Sequence, residues 1–174
     1  MDGFILNIVL AIVPAGIVFA TSYLLIKRFL DAEAEKRETE VRNTNQAIIT
    51  PLRLQACERL ALFLERSNLS SLVMRVNKNG MSANLLRAEL IKTIRSEFEH
   101  NLSQQIYIAP QTWDMIKNAQ EEVIKTINIA ATKVPETASS VDLAQVILQI
   151  ASSVDKLPTE LALDLLKRDI SRIF

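Results

Sequence analysis

Residues 113–134 read WDMIKNAQEEVIKTINIAATKV. Trp113, Ile116, Val123, Ile127, Ala130 and Val134 recur at alternating three- and four-residue spacing, with Gln120 alone breaking the series. A helix advances about 100° per residue, so these positions form one apolar stripe. It is the clearest packing face in the chain, and it marks Trp113 as a core side chain rather than a ligand platform.

Working outward, the neighbouring segments repeat the pattern. Upstream, Ala109-Pro110 closes one helix or opens the next, and Ser82 predicts the cap of a long helix running to about Tyr107. On that helix Ile91, Ile94, Phe98 and Leu102 define the buried face. Asn79-Gly80 marks a turn, and Leu69, Leu72, Val73 and Val76 form a short apolar element before it. Thr50-Pro51 predicts a helix start, because threonine caps and proline tolerates the first helical position. Its helix carries Cys57, Leu60, Phe63 and Leu64 on one side. Downstream, PETASS (135–140) is a loop, and Ser139 with Asp142 has capping-box spacing. A helix near 140–154 follows, with Leu143, Ile147, Ile150 and Val154 inward. The last begins at Pro158 and carries Leu163, Leu166, Ile170 and Ile173. Residues 50–174 therefore predict a compact all-α domain, large enough for one core.

Composition agrees. The chain has 174 residues, with three glycines, five prolines and an abundance of helix formers. Its 20 basic and 20 acidic side chains balance, which supplies no basic face for a phosphate backbone, so no nucleic-acid partner is expected. The single cysteine, Cys57, excludes an internal disulfide, fits a reducing compartment and reads as a buried packing residue.

The amino-terminal end is different in kind. Gly3–Ile26, GFILNIVLAIVPAGIVFATSYLLI, contains no charged side chain. As a helix it would rise roughly 36 Å, against a hydrocarbon core of about 30 Å. Only Asp2 precedes it, and no small-residue cleavage site follows, so residues 1–26 predict a retained transmembrane anchor rather than a signal peptide. Lys27, Arg28, Lys36, Arg37 and Arg42 all lie on one side of it. The excess of basic residues there orients the amino terminus outward and residues 27–174 toward the cytoplasm. Within the span, Pro14 predicts a bend. Gly16 and Ala20 have the four-residue spacing of small side chains that permits close helix–helix approach. Residues 27–49 then form a charged stalk. Leu30, Ala34, Val41 and Ile48 suggest a heptad stripe, but Arg37 and Thr44 interrupt it. A solvated helix supported by acid–base pairs one turn apart is the better reading.

The only histidine lies in SEFEHNLSQQIY (96–107). Glu97-x-x-His100 is the spacing of di-iron carboxylate bundles, but such sites need a second histidine, and this chain has one. His100 lies about 160° from the centre of its helix's apolar face, with Glu97, Asn101 and Gln104 between. These four residues are either a solvated face or a polar contact surface for a partner or another part of the chain. The sequence contains no phosphate-binding glycine loop, paired cysteines or nucleophile arrangement. No catalytic, cofactor-binding or metal-binding residue is assigned, and no cofactor is expected.

Three segments, TPLRLQACERLALFLER, EFEHNLSQQIY and KLPTELALDLLKRDI, together with the amino-terminal span, resemble a family of small bacterial membrane-anchored proteins of uncharacterised function. The resemblance implies a bacterial inner-membrane protein with a helical cytoplasmic domain, and implies no reaction. The sequence-based expectation is a non-enzymatic adaptor or accessory module tethered to the inner membrane, binding another protein or a second copy of itself. The competing expectation is a structural subunit of a larger membrane assembly, resembling in outline the one-span helical stalk subunits of rotary enzymes, whose long continuous stalks the proline-broken helices match poorly. An enzyme ranks below both.

Overall fold

The starts of α2, α3 and α5 follow from a side chain that satisfies free backbone groups there. The computed structural model of the protein describes residues 2–171, with side chains described at 14 and from 16 onward. Helix α1 spans Asp2–Arg66, α2 Leu69–Val76, α3 Ala83–His100, α4 Pro110–Thr132, α5 Ser140–Ser152 and α6 Pro158–Ser171. A 3₁₀ helix, Leu102–Tyr107, joins α3 to α4. The described residues are all-α apart from one isolated antiparallel bridge, Ser82–Ser139. The chain divides into two units, residues 1–49 and 50–174.

The caps work as expected at α3 and α5. Ser82 Oγ accepts from Leu85 N–H at 3.3 Å. Ser139 Oγ accepts from Asp142 N–H at 3.3 Å while Asp142 Oδ2 accepts from Ser139 N–H at 2.9 Å, a complete capping box. Hydrogen bonds from the Ser139 hydroxyl and backbone hold the Asp142 carboxyl below its ordinary value. Both caps are extended, so their edges pair: Ala83 N–H donates to Ala138 O and Ser140 N–H to Met81 O, each at 3.0 Å. The starts of α3 and α5 thus lie side by side. Ser139→Ala is expected to lower the melting midpoint by about 2–4 °C. Thermal denaturation followed by circular dichroism checks this; an unchanged midpoint would mean the box is redundant with the bridge.

Several expectations need correction. Thr50-Pro51 does not start a helix, because α1 continues through it. Pro51 removes the hydrogen bond to Ala47 and its ring crowds that carbonyl, a cost of about 3 kcal/mol, but its fixed φ is helical and the neighbouring turns carry the helix across. The helix begun at Ser82 ends at His100, not near Tyr107. Asn101 N–H bonds to Phe98 O at 2.9 Å, which tightens the chain into the 3₁₀ turn. The change of period turns Leu102 outward, leaving it exposed rather than buried. Helix α5 likewise stops at Ser152, and the Ser152 and Ser153 hydroxyls donate to the Gln149 and Ile150 carbonyls. Val154 lies beyond it and is exposed. Ile173 lies outside the described residues.

The interior of residues 50–174 is two apolar clusters rather than one. The first gathers Leu72, Leu86, Leu90, Ile127, Leu143 and Ile147 from α2, α3, α4 and α5. The second gathers Leu60, Phe63, Leu64, Ile116 and Leu166 from α1, α4 and α6. Helix α4 serves both. Ile116 and Ala119 pack into the second cluster, and Val123, Ile127 and Ala130 into the first. Gln120, the interruption in the opening stripe, falls between these two sets and is buried. Cys57 is buried as expected; burial raises its thiol pKa and Asp169 adds to the effect, against the charge of Arg53.

In residues 1–49 the expected one-turn ion pair exists, Arg37 Nη2 to Glu33 Oε1 at 2.7 Å. Leu30, Val41 and Ile48 are exposed, as are Gly16 and Ala20. No helix of the structure is long and apolar enough, among the described residues, to cross a membrane. The expected anchor, 1–26, falls for half its length on positions whose side chains lie outside the described ones.

Candidate functional site

Near its carboxyl end α1 places Arg59, Leu62, Phe63 and Arg66 on adjoining turns, at the three- and four-residue spacings that share a helix face. Helix α3 and its cap bring Ser96, Glu97, His100 and Asn101 opposite them. Between the two rows runs an open groove of about 370 Å³. Phe63 is buried beneath it, whereas Leu62 is 62% exposed. Phe63 packs on Phe98 with ring centroids 5.7 Å apart, and Phe98 stacks on Trp113 at 5.5 Å, so an aromatic column backs the groove.

Glu97 ties three helices together. Arg66 donates from Nε to Oε2 at 3.1 Å and from Nη2 to Oε1 at 3.0 Å, a forked pairing. Arg75 donates from Nη1 to Oε1 at 2.6 Å and from Nη2 to the Arg66 carbonyl at 3.0 Å. Arg75 therefore also satisfies a free carbonyl at the end of α1. Partial burial pushes the Glu97 carboxyl up, but the hydrogen bonds and charges of Arg66 and Arg75 outweigh it and leave the pKa below its ordinary value.

The four residues singled out in the sequence are thus divided by the fold. Glu97 is engaged within the protein. Asn101 Nδ2 donates to Glu97 O at 2.7 Å and closes the end of α3. Gln104 Nε2 donates to Ser103 Oγ at 3.3 Å, and Gln104 is not among the groove residues. Of these four, His100 alone is both exposed and part of the groove lining. Of the two sequence readings, contact with another part of the chain describes Glu97. Arg59 and Leu62 were not foreseen as groove residues. The available signal was that Leu62 lies off the stripe of Leu60, Phe63 and Leu64. Among the described residues, no group of three or more His, Cys, Asp or Glu side chains is placed to hold a metal ion.

These features define an all-α protein in which a groove lies across the meeting of α1 and α3, with one exposed leucine and one exposed histidine beside a closed ionic clamp. The chain belongs to the family of unknown function DUF7935, whose model matches residues 3–173. No curated protein and no solved structure matches it.

Proposed function

We propose that the protein is a non-enzymatic interaction module tethered to the bacterial inner membrane. In this reading residues 1–26 anchor it with the amino terminus outside, and residues 27–174 are cytoplasmic. Support comes from the charge-free run Gly3–Ile26 followed at once by Lys27 and Arg28. Tethering raises effective concentration near membrane-bound partners without new contacts.

The observation that carries the partner surface is the exposure of Leu62 in a groove flanked by Arg59 and His100. An apolar side chain ringed by polar ones suits the centre of a protein contact. The test is a photoreactive amino acid placed at Leu62 in cells, compared with one at exposed Val141 on α5. Membrane fractions are expected to yield a discrete protein adduct from position 62 alone, reduced several-fold by His100→Ala. Glu97 stays intact in this experiment because it holds the fold. Absence of an adduct at 62 would reject the groove. An adduct at twice the chain's mass would assign it to a second copy.

One observation favours the structural-subunit reading. Residues 27–49 lie wholly within helix α1 and carry the Arg37–Glu33 pair one turn apart, as a helical stalk requires. Fixed stoichiometry with a complex would support that reading, and exchangeable binding the adaptor.

A further inference from the structure

A second hollow lies away from the groove, where α2, α4, α5 and α6 approach one another. It measures about 220 Å³ and is lined by Leu69, Val123, Ile150, Ala151 and Leu157, with Thr159 in its wall. Val154 at its lining is 48% exposed, whereas Thr159 is 3% exposed, so the hollow leads from the surface toward the interior. The Thr159 hydroxyl is buried and has no hydrogen-bond partner among the described residues. A hydroxyl carries one donor and two acceptor positions, and burying it unpaired is costly. A buried polar atom of this kind beside Leu69, Val123, Ile150, Ala151 and Leu157 fixes the orientation of a small ligand.

We propose that this hollow is a binding site for a small uncharged molecule, or end-group, with a compact apolar body and one hydrogen-bonding oxygen. Size sets the first limit: a cavity of about 150 Å³ holds benzene, so this one holds a ring or short branched chain with one substituent. Charge sets the second. Both charged side chains in the lining are already engaged, Lys156 Nζ with Asp164 Oδ2 at 2.9 Å and Glu122 Oε1 with Lys125 Nζ at 3.1 Å. The apolar body packs against Val123, Ile150 and Leu157, and the ligand oxygen pairs with the Thr159 hydroxyl.

Phenol and benzene are the probes, titrated into the full chain with methyl-labelled valine, leucine and isoleucine, all variants in the same detergent. Both probes are expected to shift the methyl resonances of Val123, Ile150 and Leu157. Thr159→Val keeps the shape and removes the hydroxyl. It is expected to weaken phenol about tenfold, the effect of one lost buried hydrogen bond, and to change benzene by less than about twofold. Thr159→Ser keeps the hydroxyl and should hold phenol within about threefold of the native protein. Equal phenol affinity in the valine variant, shifts confined to other methyls, or a loss with serine matching that with valine would each overturn the assignment.

Discussion

Replacing Phe63 by alanine is expected to cost about 3–5 kcal/mol of folding stability, the largest effect of any single truncation considered. Phe63 is 2% exposed, so the whole ring is removed from packed surroundings. Its neighbours are poorly able to close the space. Leu60 and Leu64 share its helix, and Phe98 is held by its stack on Trp113. Loss of the Phe63–Phe98 contact adds to the transfer and cavity contributions, since aromatic pairs are worth about 0.5–1.5 kcal/mol beyond the area they bury. Leu62→Ala, one residue away and exposed, should stay within about 0.5 kcal/mol. Urea denaturation monitored through Trp113 fluorescence measures both. A cost below about 1.5 kcal/mol for Phe63→Ala would show that the second cluster collapses readily and does not depend on its aromatic column.

Glu97→Gln is expected to destabilise the protein by about 1–2 kcal/mol at pH 7, more than an ordinary surface ion pair. Glutamine keeps the shape and one acceptor oxygen, but gives up the charge that two guanidinium groups converge upon. Arg66 is half-exposed and recovers water, so the loss falls mainly on Arg75 and on the carboxylate's own hydrogen bonds. The sign of the pH dependence follows from the depressed carboxyl. A group whose pKa is lower in the folded state binds fewer protons there, so it stabilises above its unfolded value near 4.3. That contribution disappears as pH falls through the lower folded value. The native protein and the glutamine variant should therefore differ most near neutrality and begin to converge as pH falls below about 4.3. Denaturation midpoints between pH 7 and pH 3.5 provide the measurement. A constant difference across that range would mean that shape, not charge, makes Glu97 matter.

The helical class, the order of the elements and most of their amino-terminal boundaries were legible in the chain. Ser82, Ser139 with Asp142, Pro110 and Pro158 all mark true starts, because a cap acts on backbone groups within three residues of itself. The inward positions of α4 follow from the same short-range geometry. Helix ends were harder to read. The stop at His100 depends on Asn101 turning back to Glu97 O, and the stop at Ser152 on two serine hydroxyls competing for the last carbonyls. Either residue type is compatible with another turn of helix. Thr50-Pro51 misled for the complementary reason: a capping residue before proline permits a start but does not require one.

The candidate sites divide along the same line. The sequence by itself placed Glu97, His100 and Asn101 close together on one helix and His100 away from its apolar face, since rotation per residue is a local property. It also set aside a charge-free amino-terminal run from a charged stalk and an amphipathic remainder. Only the tertiary structure decided that Glu97 meets Arg66 and Arg75, 31 and 22 residues away, and that Leu62 faces His100 across a groove. It alone divided the α4 stripe between two cores and buried the Thr159 hydroxyl without a hydrogen-bond partner among the described residues. Those contacts depend on how the helices pack across and against one another. Side-chain volumes along the whole interface set that packing, and no single segment encodes it.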